Sequence, residues 1–258
     1  MGRVLYAGID VGASATKAAL LAPDGLIAGK AAVSSGFDFS KASAAAFDAA
    51  LLDAGASTAD VAYAISTGYG RKNVISANAI RTEIACHAKG AFHYFPKEIT
   101  VVDIGGQDNK IIKVSGEGKR LDFKMNRKCA AGTGVFLEEI AYKMDIPLNE
   151  LNGLGKQSDN PVELGSYCTV FTGTEILSRI REGRKKEDIV RGVFGSVVKR
   201  IIEMDPLEDR VAITGGVIAH NDIILDLLRI CTKKEILIPR LAQFTGALGA
   251  ALSAMESE

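Results

Sequence analysis

The sequence has no tryptophan, six prolines and four cysteines in 258 residues, and neither charge sign prevails, since 31 basic residues face 31 acidic ones. That balance removes the electrostatic footprint of a nucleic-acid binder. No uninterrupted apolar run approaches the roughly 18 residues that a membrane-spanning helix needs. The opening MGRVLYAGIDVG reaches Asp10 and Gly12 before a signal-peptide core could form. Tyr6 stands where a myristoylation signal wants Ser or Thr. A cytoplasmic protein with reduced thiols, and with no nucleic-acid or membrane partner, is therefore expected. None of Cys86, Cys129, Cys168 and Cys231 pairs as C-x-x-C, which excludes zinc-ribbon and thioredoxin-like readings. Four thiols do suffice to ligate one iron–sulfur cluster.

What is present is an α/β pattern. Residues 1–21 read as a β-hairpin broken by a Gly/Ser/Thr turn, and Pro23-Asp24-Gly25 supplies the next turn. Helical spacing of Ala, Phe47, Leu51 and Leu52 predicts a helix over 40–54. A strand follows at 61–66, then Thr67-Gly68-Tyr69-Gly70 as a loop, a helix at 83–92 and a strand at 99–104. Beyond Cys129 the chain reads as mostly helical, at 136–144, 175–182, 189–204 and 223–231. A strand at 211–214 runs into Gly215-Gly216, and a small-residue helix opens at Thr245.

The sequence also repeats itself. Ile9-Asp10-Val11-Gly12 with Lys17 matches Val102-Asp103-Ile104-Gly105 with Lys110, each lysine seven residues past its aspartate and the copies 93 residues apart. Such a repeat predicts two related lobes facing each other, divided as 1–95 and 96–258, with the terminal helix free to return to the first. Glycine turns let backbone N–H groups approach phosphate oxygens because no Cβ intervenes. Ser14 and Thr16 offer hydroxyls, and Lys17 a point charge. Asp10 and Asp103 suit Mg2+ held through its water shell. Gly215-Gly216 suits close approach by a ribose or purine. There is no P-loop, and Gly12-Ala13-Ser14 does not fit a dinucleotide turn.

This order of turns resembles the actin and sugar-kinase ATPase superfamily, with its phosphate-1, phosphate-2 and adenosine motifs. The resemblance implies a two-lobed actin-like ATPase, with ribonuclease H-like lobes and nucleotide in the interlobe cleft. Cys129, in Lys128-Cys129-Ala130-Ala131-Gly132-Thr133-Gly134, and Cys168, in Cys168-Thr169-Val170-Phe171, each precede a helical stretch, where the helix dipole favours thiolate. Cysteines of cytosolic proteins more often simply pack in cores, and that reading is preferred for Cys86 and Cys231.

Together with Ala7-Gly8-Ile9-Asp10-Val11-Gly12, Thr67-Gly68-Tyr69-Gly70-Arg71, Asp103-Ile104-Gly105-Gly106-Gln107-Asp108, Thr214-Gly215-Gly216-Val217 and Leu241-Ala242-Gln243, these cysteine segments resemble the activators of 2-hydroxyacyl-CoA dehydratases. That group also contains ATPase subunits of benzoyl-CoA reductase. The resemblance spans essentially the whole chain. It implies a homodimer sharing one [4Fe–4S] cluster, with Cys129 and Cys168 as ligands from each subunit. It implies ATP hydrolysis with Mg2+ that drives a low-potential electron to a dehydratase or reductase, the electron coming from a ferredoxin- or flavodoxin-type donor. Nucleotide contacts would fall at Gly12, Ala13, Ser14, Ala15, Thr16 and Lys17, at Gly105 and Gly106, at Gly215 and Gly216, and at Gln243. Asp10 and Asp103 would organise Mg2+, and Gln107 or Asp108 would orient the attacking water.

Three departures from the family pattern stand out. Ala13 replaces a Ser, Arg127 an Asp, and Thr172-Gly173-Thr174-Glu175 a more acidic run. They bear on the identity of the electron acceptor. Rival readings are a small-molecule kinase with Asp103 as base, a nucleotide-dependent scaffold without iron, and a cluster held by all four cysteines of one chain.

Overall fold

In a computed structural model of the chain, residues 3–126, 129–165 and 169–257 are described. The predicted hairpin forms from β1 (Leu5–Val11) and β2 (Ala15–Leu21), antiparallel, with Asp10 opposite Lys17. Next come β3 (Ile27–Ser34), α1 (Phe39–Ala54), β4 (Val61–Gly68), β5 (Ala79–Ile80) and α2 (Glu83–Tyr94). The chain continues through β6 (Ile99–Ile104), β7 (Asn109–Val114), β8 (Arg120–Asn126), α3 (Gly134–Lys143) and α4 (Leu151–Lys156). Then follow α5 (Thr169–Arg181), α6 (Lys186–Met204), β9 (Arg210–Thr214), α7 (Gly216–His220), α8 (Ile223–Thr232), β10 (Glu235–Leu237) and α9 (Thr245–Met255).

The strands form two five-stranded sheets, ordered β3-β2-β1-β4-β5 and β8-β7-β6-β9-β10. Element by element, the second order repeats the first. In both, the central strand pairs parallel with its neighbour on the far side of the hairpin, β1 with β4 and β6 with β9. Every residue of β1 and of β6 is buried, which is why both read as near-continuous apolar runs rather than alternating ones. Within those runs Asp10 and Asp103 are the exceptions to be explained.

Two compact units result. One comprises residues 1–98, 113–121 and 243–258, the other 99–112 and 122–242. In the first, Phe47, Ala50 and Leu51 of α1 pack on Leu5, Ile9 and Leu20. Asp38 starts α1 by accepting from the Lys41 N–H at 3.0 Å, and Gly55 ends it in the left-handed region. On the other face α9 packs on β1 and β4, and α2 packs on α9. Their small residues make this possible, since a Cβ at Gly249 would overlap the Cys86 carbonyl. In the second unit Phe136, Leu137 and Ile140 of α3 join Phe194 and Val197 of α6 against Val102 and Ile104 of β6.

Some boundaries differ from expectation. Thr67 and Gly68 finish β4 rather than opening a loop. The helix expected at 175–182 begins at Thr169, its first turn hidden from periodicity by Gly173 and by β-branched residues of weak helix propensity. Strand β3, rich in Gly and Ala, gives no period-2 signal, whereas β8 does, with Leu121, Phe123 and Met125 alternating with polar residues, and is a strand the expectations above leave out. Among the described residues no helix is long and apolar enough to cross a membrane.

Candidate active site: two aspartate–lysine turns and a cysteine loop

Strand β1 delivers Asp10 to the edge of a tight turn. The Gly12 N–H donates to the Ala15 carbonyl at 3.1 Å, and Lys17 Nζ lies 3.3 Å from Asp10 Oδ2. Ala13 and Gly12 are half-buried and Ser14 is exposed. Thr16 departs from its expected part. Its hydroxyl is fully buried and lies 2.9 Å from Ser35 Oγ, so it braces the turn rather than offering a surface donor. Ser35 in turn donates to the Gly12 carbonyl at 2.6 Å, and its own N–H donates to the Ser14 carbonyl. Nothing in the local sequence marks Ser35. The Asp10 carboxylate also faces Gly68 and Gly246, and His87 Nε2, on α2, lies beside the same Gly246. His87 has no role legible in the sequence, and only its place in the fold brings it to Asp10.

The second turn follows β6 with the same main-chain plan. The Gly105 N–H donates to the Asp108 carbonyl at 2.9 Å. Lys110 Nζ is 3.0 Å from Asp103 Oδ2 and 2.6 Å from Asp108 Oδ1, so one buried ammonium meets two carboxylates. Thr214, at the end of β9, donates its hydroxyl to Asp103 Oδ1 at 3.1 Å. Gly215 then adopts φ +101 directly against Asp103, where a Cβ would overlap the Ile104 carbonyl, and Gly216 opens α7. The predicted phosphate-2 and adenosine glycines of this unit are therefore neighbours. Gln107 is exposed at the tip of the turn, Gly106 half-buried beside it. Gln243 belongs to the other unit, half-buried in a short helical turn over 242–244.

The cysteines separate by environment. Cys86 is fully buried among Tyr6, Ile65 and Ala250, and burial pushes its thiol up to about 11, the wrong direction for a metal-binding thiolate. Cys231 corrects the sequence reading, since it is exposed. It continues the helical stripe of Ile224 and Leu228, but that stripe runs out in the last turn of α8, before the left-handed cap at Lys233. Cys129 is half-exposed in the loop ahead of α3. Four residues separate it from that helix, so it does not sit at the helix start as expected. The first N–H groups of α3 are used elsewhere, Gly134 donating to the Gly105 carbonyl at 3.0 Å and Val135 to that of Gly106 at 2.8 Å. Asn109 Nδ2 adds a bond to the Gly132 carbonyl at 2.9 Å. The Cys129 loop and the second turn are thus one hydrogen-bonded piece. Cys168, with Arg127 and Lys128, lies outside the described residues. Glu175 of α5 accepts from the Gly165 N–H at 2.7 Å and so anchors the segment that leads toward Cys168. Among the described residues no three of His, Cys, Asp and Glu converge as a metal site.

Two sheets of one order, each with an aspartate–lysine turn after its central strand, define an actin-like α/β ATPase fold. A ROK-family glucokinase from Streptomyces griseus shares it with a TM-score of 0.62 over 98% of this chain and 99% of that one, at 14% identity, a likeness of fold alone. The model of the BadF/BadG/BcrA/BcrD ATPase family matches residues 7–254, and the chain belongs to that family. It is 40% identical over 254 residues to an (R)-2-hydroxyglutaryl-CoA dehydratase activating ATPase from Acidaminococcus fermentans, covering 96% of this chain and 95% of that one. The solved activator of 2-hydroxyisocaproyl-CoA dehydratase from Clostridium difficile, with bound ADPNP, superposes with a TM-score of 0.91 at 36% identity, covering 98% of this chain and 95% of that one. A benzoyl-CoA reductase component from Thauera aromatica is 28% identical over 260 residues, covering 96% of this chain and 92% of that one.

Proposed function

We propose that the protein is an ATP-hydrolysing one-electron donor that activates a partner 2-hydroxyacyl-CoA dehydratase or a related acyl-CoA reductase. In this reading it works as a homodimer joined by one [4Fe–4S] cluster. The observation that carries the proposal is the physical continuity of the second turn with the Cys129 loop, because an activator must let nucleotide state reach its redox centre. The family and its dehydratase-activating relatives support the same reading.

The residues fit the groups required. Asp10 and Asp103 each stand one residue from the end of a buried central strand, where a carboxylate suits a divalent cation bound through water. Asp10 and Asp103 would hold Mg2+, while Lys17 and Lys110 would face phosphate oxygens. Backbone N–H groups of residues 12–15 and 105–106 would line the phosphates, and Gly215 and Gly216, with Gln243, the nucleoside. Gln107 is the better candidate to orient the attacking water, because the Asp108 carboxylate is held by Lys110. Hydrolysis then breaks the bond between the β–γ bridging oxygen and the γ-phosphorus, giving ADP and inorganic phosphate.

For the cluster the donor set is thiolate, and Cys129 is the accessible cysteine in a loop tied to the nucleotide turn. Cys168 would be the second ligand. When bound, the cluster would supply a one-electron carrier whose potential responds to hydrogen bonding and solvent exposure. Anaerobic purification with an iron count tests the reading. About two irons per chain are expected for a shared [4Fe–4S] cluster, and Cys129→Ser should lose the iron while ATP binding persists. A Cys129→Ser protein that keeps its iron and passes electrons refutes the assignment. About four irons per chain would instead place the whole cluster in one subunit.

A further inference from the structure

The position that matches Thr16 in the sequence repeat is Asn109, and the two residues do different things. Thr16 turns inward to Ser35, within the first turn's own sheet. Asn109 reaches out of the second turn to the loop that carries Cys129. Of the three hydrogen bonds that join turn and loop among the described residues, the two from Gly134 and Val135 are main-chain and present whatever the side chains. The third, from Asn109 Nδ2, depends on a side chain. Its orientation is fixed chemically, because Oδ1 turned toward the Gly132 carbonyl would set two acceptors against each other. Asn109 is fully buried, and its Oδ1 has no hydrogen-bond partner among the described residues.

We infer that Asn109 is a positioning residue that transmits the state of the second turn to Cys129. Its backbone forms the base of the turn between Asp108 and Lys110, and its side chain holds the carbonyl three residues beyond Cys129. A shift of the turn when phosphate binds moves the donor relative to Gly132 and so biases the Cys129 loop. The inference rests on the nucleotide reading above and adds the residue through which that reading would operate.

The test uses the full chain free of iron, so that cluster loading does not enter. The alkylation rate of Cys129 by iodoacetamide is followed by mass spectrometry of its peptide, with and without Mg2+ and a non-hydrolysable ATP analogue. Cys231, exposed on α8, serves as internal reference. In the native chain the analogue should change the Cys129 rate by about fivefold or more, the scale of ordinary site-to-site coupling. Asn109→Ala should bring that ratio close to one, while analogue affinity, measured separately by equilibrium binding, stays within about threefold. Asn109→Thr, which installs the first turn's residue, should do the same and keeps the test decisive if the alanine variant does not fold. A folded variant that retains the native ratio, or a native ratio of one with analogue bound, overturns the inference and leaves the ATPase reading intact. Absence of analogue binding to the native chain sinks both.

Discussion

The turn after β1 leans on its own sheet. Ser35, one residue past β3, holds both the Gly12 carbonyl and the Thr16 hydroxyl, and Lys17 answers one carboxylate from a partly accessible position. The turn after β6, of the same main-chain plan, instead carries three hydrogen bonds out to the Cys129 loop and α3. Its lysine is nearly fully buried between two carboxylates. The lesson is that a duplicated turn need not remain a duplicated device. One copy is braced by the strand end beside it, while the other is hydrogen-bonded to a neighbouring loop.

The strongest way to break the comparison is to ask whether the two aspartates remain equivalent. If both turns serve Mg2+ and phosphate, Asp10→Asn and Asp103→Asn should each lower ATP hydrolysis by about a hundredfold or more, measured as phosphate release, as expected when a charge aimed at the transition state is removed. An Asp10 variant with native turnover would show the first turn to be structural only.

The lysines should separate the turns by stability. Lys110→Met leaves Asp103 and Asp108 facing each other without the ammonium they share, a loss of about 3–5 kcal/mol. Lys17→Met removes one longer contact, at 3.3 Å, from a less buried ammonium and should cost about 1–2 kcal/mol. Urea midpoints of the two variants decide the matter, and equal midpoints would erase the proposed asymmetry.

How much of this is legible in the sequence follows the range of the interactions. The repeat of Asp, Gly and Lys lies within eight residues of chain, so both turns can be read, and with them the strands that flank them. The central strands announce themselves by continuous apolarity, and β8 by the alternation of Leu121, Phe123 and Met125 with polar residues, whereas β3 is silent because its side chains are mostly small. Thr16 misleads because its partner Ser35 lies 19 residues away across the sheet. Asn109 carries no signal of its own, being an unremarkable polar residue between two charged ones. Aligning it with Thr16 through the repeat marks the position, though not Gly132 as its partner. Cys231 looks like core because periodicity does not record where a helix runs out of sheet to cover it.

The smallest effect sharpens the idea that the first turn is internally braced. Ser35→Ala removes the hydroxyl shared by Thr16 and Gly12, leaving a fully buried threonine hydroxyl and a turn carbonyl without that partner. Unmet buried groups of this kind cost about 1–3 kcal/mol, and the lower end is expected here because the Ser35 N–H still holds the Ser14 carbonyl. The loss should appear as a lowered urea midpoint and a modestly weaker affinity for nucleotide. The nucleotide dependence of Cys129 alkylation should be untouched, because that signal runs through the other turn. A Ser35→Ala protein with normal stability but a silenced Cys129 response would reverse the assignment, making the first turn the one that communicates and the second the one that stands still.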